Sequence, residues 1–216
     1  MTARRIVVWR HGRTTWNAQR RFQGQTDIDL DDIGEQQAID SARLLTGLRP
    51  HVIMASDLTR ARRTADALAE LTGLPVMVDV DLRETFAGDW EGLVWGDINE
   101  RFAAEIARWP DDPHLRAGGH GETRIEVAER MVRAITRGLR TVPTGGTLVV
   151  ATHGGAARAA VGSLLELPPE HWSVLGVLTN CSWSVLVENL SEHGPRWRLQ
   201  EYNAGTLPEP ALADDL

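Results

Sequence analysis

The sequence predicts an α/β fold, a three-layer α/β/α sandwich whose sheet is mainly parallel, with one antiparallel strand and a lid-like insertion. Three observations predict it. Short apolar runs recur at Ile6–Trp9, Val52–Ala55, Val76–Val80 and Leu148–Ala151, in the style of buried parallel strands. Amphipathic segments fall between them. Ser182–Val187 and Trp197–Tyr202 flank Ser191-Glu192-His193-Gly194-Pro195, which reads as an antiparallel hairpin with a wide loop.

Each helix carries its own start or stop signal. Leu30-Asp31-Asp32-Ile33-Gly34 leads into Glu35–Leu48, placing acids where a helix dipole favours them. Asp57–Leu71 sets Leu58, Ala61, Ala65, Leu68 and Ala69 on one face before Gly73-Leu74-Pro75 ends it. Thr123-Arg124-Ile125-Glu126 has capping-box spacing, and Val127, Met131, Val132 and Ile135 follow at helical intervals. Gly154–Leu165 is small and apolar, as a tightly packed helix requires. From Leu93 to Gly121 the pattern changes to scattered tryptophans, Asp111-Asp112-Pro113 and Gly118-Gly119-His120-Gly121, a partly helical insertion placed to act as a lid. No internal repeat breaks the chain, so 1–203 is read as a single domain and 204–216 as a C-terminal tail without element pattern.

Composition narrows the function. The 216 residues carry a net charge of −7, which disfavours nucleic acid or an anionic membrane as the main partner. All 23 basic residues are arginine, so every mechanism that needs a lysine amine is excluded. The charge is unevenly placed: residues 1–63 hold 11 Arg against 7 acids, and the remainder holds 12 Arg against 23 acids. An arginine-enriched front on an acidic chain suggests a local anion site. The one cysteine, Cys181, excludes an internal disulfide framework and reads as a small buried residue. With no signal-peptide pattern and no apolar run of membrane-spanning length, the expectation is a cytoplasmic protein.

In open α/β sheets ligands bind beyond the carboxyl ends of the strands. Here those ends are followed by Arg10-His11-Gly12, Ser56-Asp57-Leu58-Thr59-Arg60, Asp81-Leu82-Arg83-Glu84 and Thr152-His153-Gly154-Gly155. Two histidines, two arginines and a carboxylate therefore share one rim. Guanidinium groups bind phosphoryl oxygens in bidentate fashion, a neutral imidazole can attack phosphorus, and a carboxyl group can protonate a leaving alkoxide and then activate water. A second histidine, helped by the Gly154 N–H at a helix start, can donate to a non-bridging oxygen. This chemistry requires neither a metal nor an organic cofactor. A zinc site built on His11 and His153 lacks further ligands at metal-type spacing.

Arg10-His11-Gly12, Trp16-Asn17, Phe22-Gln23-Gly24, Ser56-Asp57-Leu58-x-Arg60-Ala61, Arg83-Glu84, Gly88-Asp89-Trp90-Glu91-Gly92 and Thr152-His153-Gly154-Gly155 together resemble the histidine phosphatase (phosphoglycerate mutase-like) superfamily. The resemblance implies a phosphorylated nucleophile at His11 and a general acid/base at Glu84. It implies a phosphate pocket of Arg10, Arg60 and His153, with Asn17, Gln23 and Gly24 as further substrate contacts. Similarity to the mutases is weaker, since Arg13-Thr14 stands where they carry an acid and a serine, and their arginine-rich substrate motifs are missing between Glu84 and His153. Leu167-Pro168, Trp172, Asn180, Ser182-Trp183 and Arg196-Trp197-Arg198-Leu199 are similar to the glucosyl-3-phosphoglycerate phosphatase branch; Gly119-His120-Gly121-Glu122-Thr123 departs from that branch's Gly-Gly-Glu-Ser. The expected activity is hydrolysis of a small phosphomonoester, with a phosphoglycerate mutase or a catalytically silent phosphoester-binding module as alternatives. Relatives implied by the resemblance are often dimers, and the apolar Trp172–Val187 segment is the candidate interface of a homodimer.

Overall fold

The computed structural model describes residues 3–191 and 193–205; all but the first two residues of the expected 204–216 tail lie outside that range. Six strands form one sheet: β1 (Arg5–Arg10), β2 (Val52–Ala55), β3 (Val76–Val78), β4 (Thr147–Thr152), β5 (Trp183–Glu188) and β6 (Trp197–Ala204), in the order β3-β2-β4-β1-β5-β6. β1, β2, β3 and β4 pair in parallel, while β5 pairs antiparallel with both β1 and β6. One strand therefore runs against the rest, as expected.

The central strands are apolar on both faces because both faces are covered. Ile6 and Val8 of β1 join Leu148 and Val150 of β4 in one cluster, packed by α6 (Arg124–Leu139) and α7 (Gly154–Leu164). Val7 and Trp9 join Val149 and Ala151 in the opposite cluster, under α2 (Asp32–Thr46) and α3 (Thr59–Thr72). Each fully buried Val, Leu or Ile contributes roughly 1.5–3 kcal/mol through area removed from water. The helix signals hold at residue level. Thr123 caps α6 with Glu126 in a reciprocal box, Asp31 caps α2, and α3 ends at Gly73 with φ 70°.

β3 departs from the sequence expectation. It stops at Val78, and Val80–Leu82 turns into a short 3-10 helix. As the sheet's edge strand it leaves Met77 and Val78 exposed, so its apolar run does not mark a buried strand. The 93–121 stretch builds two short helices, α4 (Trp95–Arg101) and α5 (Ala103–Arg108), after α1 (Thr15–Ala18) earlier in the chain. Its Trp95, Ile98, Trp109 and Ala117 pack with Ala87 and Trp90 into a third apolar cluster. A bridge between Arg21 and Val94 ties it to the β1 side of the rim.

Strand register places the site. Arg10 lies opposite Thr152 in the β1–β4 pair, and the His11 N–H donates to the Thr152 carbonyl at 2.9 Å. The next residues on each strand, His11 and His153, are thereby brought side by side. Gly12 is required by a close approach: a Cβ there would stand 2.4 Å from the Gly34 carbonyl oxygen at the start of α2. Among the described residues no helix is long and apolar enough to cross a membrane.

Candidate active site

A cavity opens beyond the carboxyl ends of β1 and β4. Arg10, His11, Gln23, Gly24, Arg60, Glu84 and Gly154 all line it. Seven of the nine candidate residues thus meet in one place although they come from five separate segments.

His11 is 3% exposed, and its ring Nδ1 lies 2.7 Å from the Gly12 carbonyl oxygen. A carbonyl only accepts, so Nδ1 carries the hydrogen and Nε2 keeps a free lone pair. Burial, then the charges of Arg60 and Arg10, hold the imidazole well below its usual pKa, so the ring is neutral. His153 is fully buried beside it, with ring centroids 5.1 Å apart. Neither nitrogen of His153 has a hydrogen-bond partner among the described residues, and burial followed by the Arg60 charge also holds it neutral.

Arg60 is fully buried at the first turn of α3 and donates to the Thr26 and Gly24 carbonyls at 2.9 and 2.8 Å. Arg10 donates to the Leu178 carbonyl at 2.5 Å. Glu84 sits against the start of α7, accepting from the N–H groups of Gly155 at 2.9 Å, Ala156 at 2.8 Å and Thr85 at 2.8 Å. A Cβ on Gly155 would stand 2.9 Å from that carboxylate, so the glycine gives the acid its seat.

Asn17 does not line the cavity. It is 1% exposed and serves as the third residue of the α1 capping box, its Oδ1 accepting from the Thr14 N–H at 3.0 Å. His153, fully buried against the His11 ring, is not among the residues that line the cavity either.

The sequence model of the histidine phosphatase superfamily (branch 1) matches residues 6–205. The chain belongs to that superfamily. This histidine phosphatase is 37% identical to a glucosyl-3-phosphoglycerate phosphatase of Mycolicibacterium vanbaalenii, over 94% of this chain and 96% of the relative. It is 38% identical to a metal-independent phosphoserine phosphatase of Arabidopsis thaliana, over 84% of this chain and 75% of that one. A solved mycobacterial glucosyl-3-phosphoglycerate phosphatase in complex with VO3 matches at a TM-score of 0.88 and 38% identity, covering 94% of this chain and all of that one.

Several residues of the histidine phosphatase site carried no sequence assignment. Phe22 and Gly155 line the cavity, and both stand inside motifs already singled out. Arg130 of α6 is 7% exposed and donates to the carbonyls of Asp81, Arg83 and Glu84 at 2.9, 2.5 and 2.8 Å while pairing with Glu122. It fixes the backbone that presents Glu84. Cys181 is buried and its thiol is pushed up to about 12 by that burial, as expected for an unreactive core residue.

The two buried histidines make stability pH-dependent. Both stay neutral in the native state below the value near 6.5 at which an unfolded-chain histidine takes a proton. Stability is therefore full above about pH 6.5 and falls as pH drops, by up to about 1.4 kcal/mol per pH unit for each histidine. Urea melts at pH 7 and pH 5.5 are expected to show a lower midpoint at the acid value. Equal midpoints would contradict the neutral, desolvated pair.

Proposed function

We propose that this histidine phosphatase hydrolyses a small phosphorylated metabolite through a phosphohistidine on His11, with a glucosyl-3-phosphoglycerate-like ester as substrate. The enzyme is a phosphomonoesterase. The observation that carries the mechanism is the neutral His11, its Nδ1 held by Gly12, in one cavity with two guanidiniums and a carboxylate.

In the proposed first step, the Nε2 lone pair of His11 attacks phosphorus in line and the bond to the leaving oxygen breaks. Arg10, Arg60, Gln23 and the Gly154 N–H offer donors to the non-bridging oxygens, with Gly24 shaping the wall and His153 packed against the His11 ring. Asn17 acts from beneath by holding the α1 cap. Glu84 protonates the leaving oxygen. Water then attacks the phosphohistidine as Glu84 takes its proton, and the P–N electron pair returns to His11.

The Glu84 role predicts a leaving-group signature. Glu84→Gln is expected to lower turnover of alkyl phosphates by about 10²–10⁴-fold, and of p-nitrophenyl phosphate, whose leaving group needs little protonation, by clearly less. An equal loss with both would argue against the acid role. The substrate reading is tested by phosphate release across glucosyl-3-phosphoglycerate, 3-phosphoglycerate and phosphoserine. Release is expected to be fastest with the first; isomerisation of 3-phosphoglycerate without release would turn the reading to a mutase.

The 93–121 segment fits the proposed lid, since Trp109 lines a second cavity that adjoins the first through Phe22, Glu84 and Gly155. A cytoplasmic homodimer completes the proposal. Within Trp172–Val187 the apolar side chains pack into the core apart from Val174, 72% exposed, which is the side chain such a contact would use. Light scattering measures that state directly.

A further inference from the structure

The second cavity is lined by two arginines that the phosphoryl chemistry does not use, Arg124 and Arg158. Arg124 begins α6 and is 5% exposed, its guanidinium 4.5 Å from the centre of the Trp109 ring. Its Nη1 donates to the Pro110 carbonyl at 3.0 Å. Its Nε and Nη2 are buried and have no hydrogen-bond partner among the described residues. A guanidinium serving only to join α6 to the insertion would have those donors satisfied, because orphaned buried donors are costly.

The vacant edge has a defined chemistry. Nε and Nη2 together form the side-on fork that grips both oxygens of a carboxylate. Elsewhere in the described residues that same edge grips a carboxylate, as Arg4 does Glu188, Arg83 Asp57, Arg130 Glu122 and Arg137 Asp79. Arg124 lines the cavity together with Arg158, and the carboxylates of Asp111 and Asp112 act on it from the insertion without bonding to this edge. Burial and then Arg158 pull the guanidinium down to about 10, outweighing the opposite pull of Asp111 and Asp112.

We infer that the Nε/Nη2 edge of Arg124, with Arg158 beside it, is a carboxylate subsite that selects phosphomonoesters bearing a carboxylate a few bonds from the phosphoryl group. The two cavities share Phe22, Glu84 and Gly155, so a ligand with its phosphoryl group against His11 extends toward Arg124. The inference rests on the proposed phosphatase reading for the position of the phosphoryl group and adds what the remainder of the substrate must carry.

The test uses two ligands that differ at one carbon. 3-Phosphoglycerate has a carboxylate where glycerol 3-phosphate has a hydroxymethyl group. Binding is measured by calorimetry to His11→Ala, which cannot turn either over. 3-Phosphoglycerate is expected to bind about 10- to 100-fold more tightly, the span of one charge-assisted hydrogen-bonded pair. That ratio is expected to fall at least tenfold in His11→Ala/Arg124→Gln, and also to fall in His11→Ala/Arg158→Gln. The second variant decides the matter if the first, which loses a buried stacked side chain, does not fold. A ratio near one in His11→Ala, or a ratio that folded variants leave unchanged, would overturn the subsite. Failure of the phosphatase reading has a separate sign: the wild-type protein would release no phosphate even from p-nitrophenyl phosphate, whatever the binding ratio.

Discussion

His11→Ala is expected to lower kcat by roughly 10⁴-fold or more, the scale seen when a covalent nucleophile is removed, and to leave no acid-labile phosphoenzyme after rapid quenching with labelled substrate. The size of the effect follows from how little else in the cavity can attack phosphorus. Glu84 is tied to three backbone N–H groups at the start of α7. Arg10 and Arg60 are cations, and the one cysteine is buried with its thiol pushed up to about 12. His153 is neutral but is not among the residues lining the cavity, and its own removal is expected to cost less than that of His11, because it acts through the ring it packs against. Because His11 is held neutral by burial and by Arg60 and Arg10, the falling limb of kcat/KM on the acid side should not sit near pH 6.5. Undiminished turnover in His11→Ala, or a labelled phosphoenzyme in that variant, would remove the nucleophile from the mechanism.

The rim was legible because it depends on local signals. Strand ends followed by Arg10-His11 and Thr152-His153 converge wherever the two strands pair in parallel, and the register of Arg10 with Thr152 makes the histidines neighbours. Caps were equally local, as Thr123 with Glu126 shows. Other features depend on contacts distant in sequence. The Val76 run reads as buried strand, but its place at the sheet edge is decided by which strand β2 pairs with on its other side. Asn17 looks like a substrate contact from its motif; its side-chain oxygen is instead used by the α1 cap. Arg124 and Arg130 lie on a helix whose apolar stripe, Val127, Met131 and Ile135, defines the core face. Periodicity assigns such arginines to solvent, yet both are buried, because their donors reach carbonyls 14 to 49 residues away. Only the three-dimensional pairing reveals a helix that carries cations inward.

Arg130 carries the second large prediction. Its Nε and Nη2 hold both oxygens of Glu122 at 2.8 and 2.9 Å, and its remaining donors reach the carbonyls of Asp81, Arg83 and Glu84. Glu122 in turn accepts from the Phe86 N–H at 2.8 Å, so one ion pair ties α6 to both sides of the Glu84 segment. Arg130→Met keeps the packing of the stem but strands a mostly buried carboxylate and three carbonyls. Breaking a buried pair in this way costs about 3–5 kcal/mol, far more than an exposed pair contributes. The urea midpoint is expected to fall accordingly. In Arg130→Met/Glu122→Leu the stranded charge is gone, so part of the loss should return. Activity separates the two roles. If Arg130 also positions Glu84, the double variant regains stability without regaining turnover of alkyl phosphates, while p-nitrophenyl phosphate, which depends less on the acid, suffers less. Recovery of both together would reduce Arg130 to a structural strut; additive destabilisation of the two substitutions would show that the ion pair does not hold the segment at all.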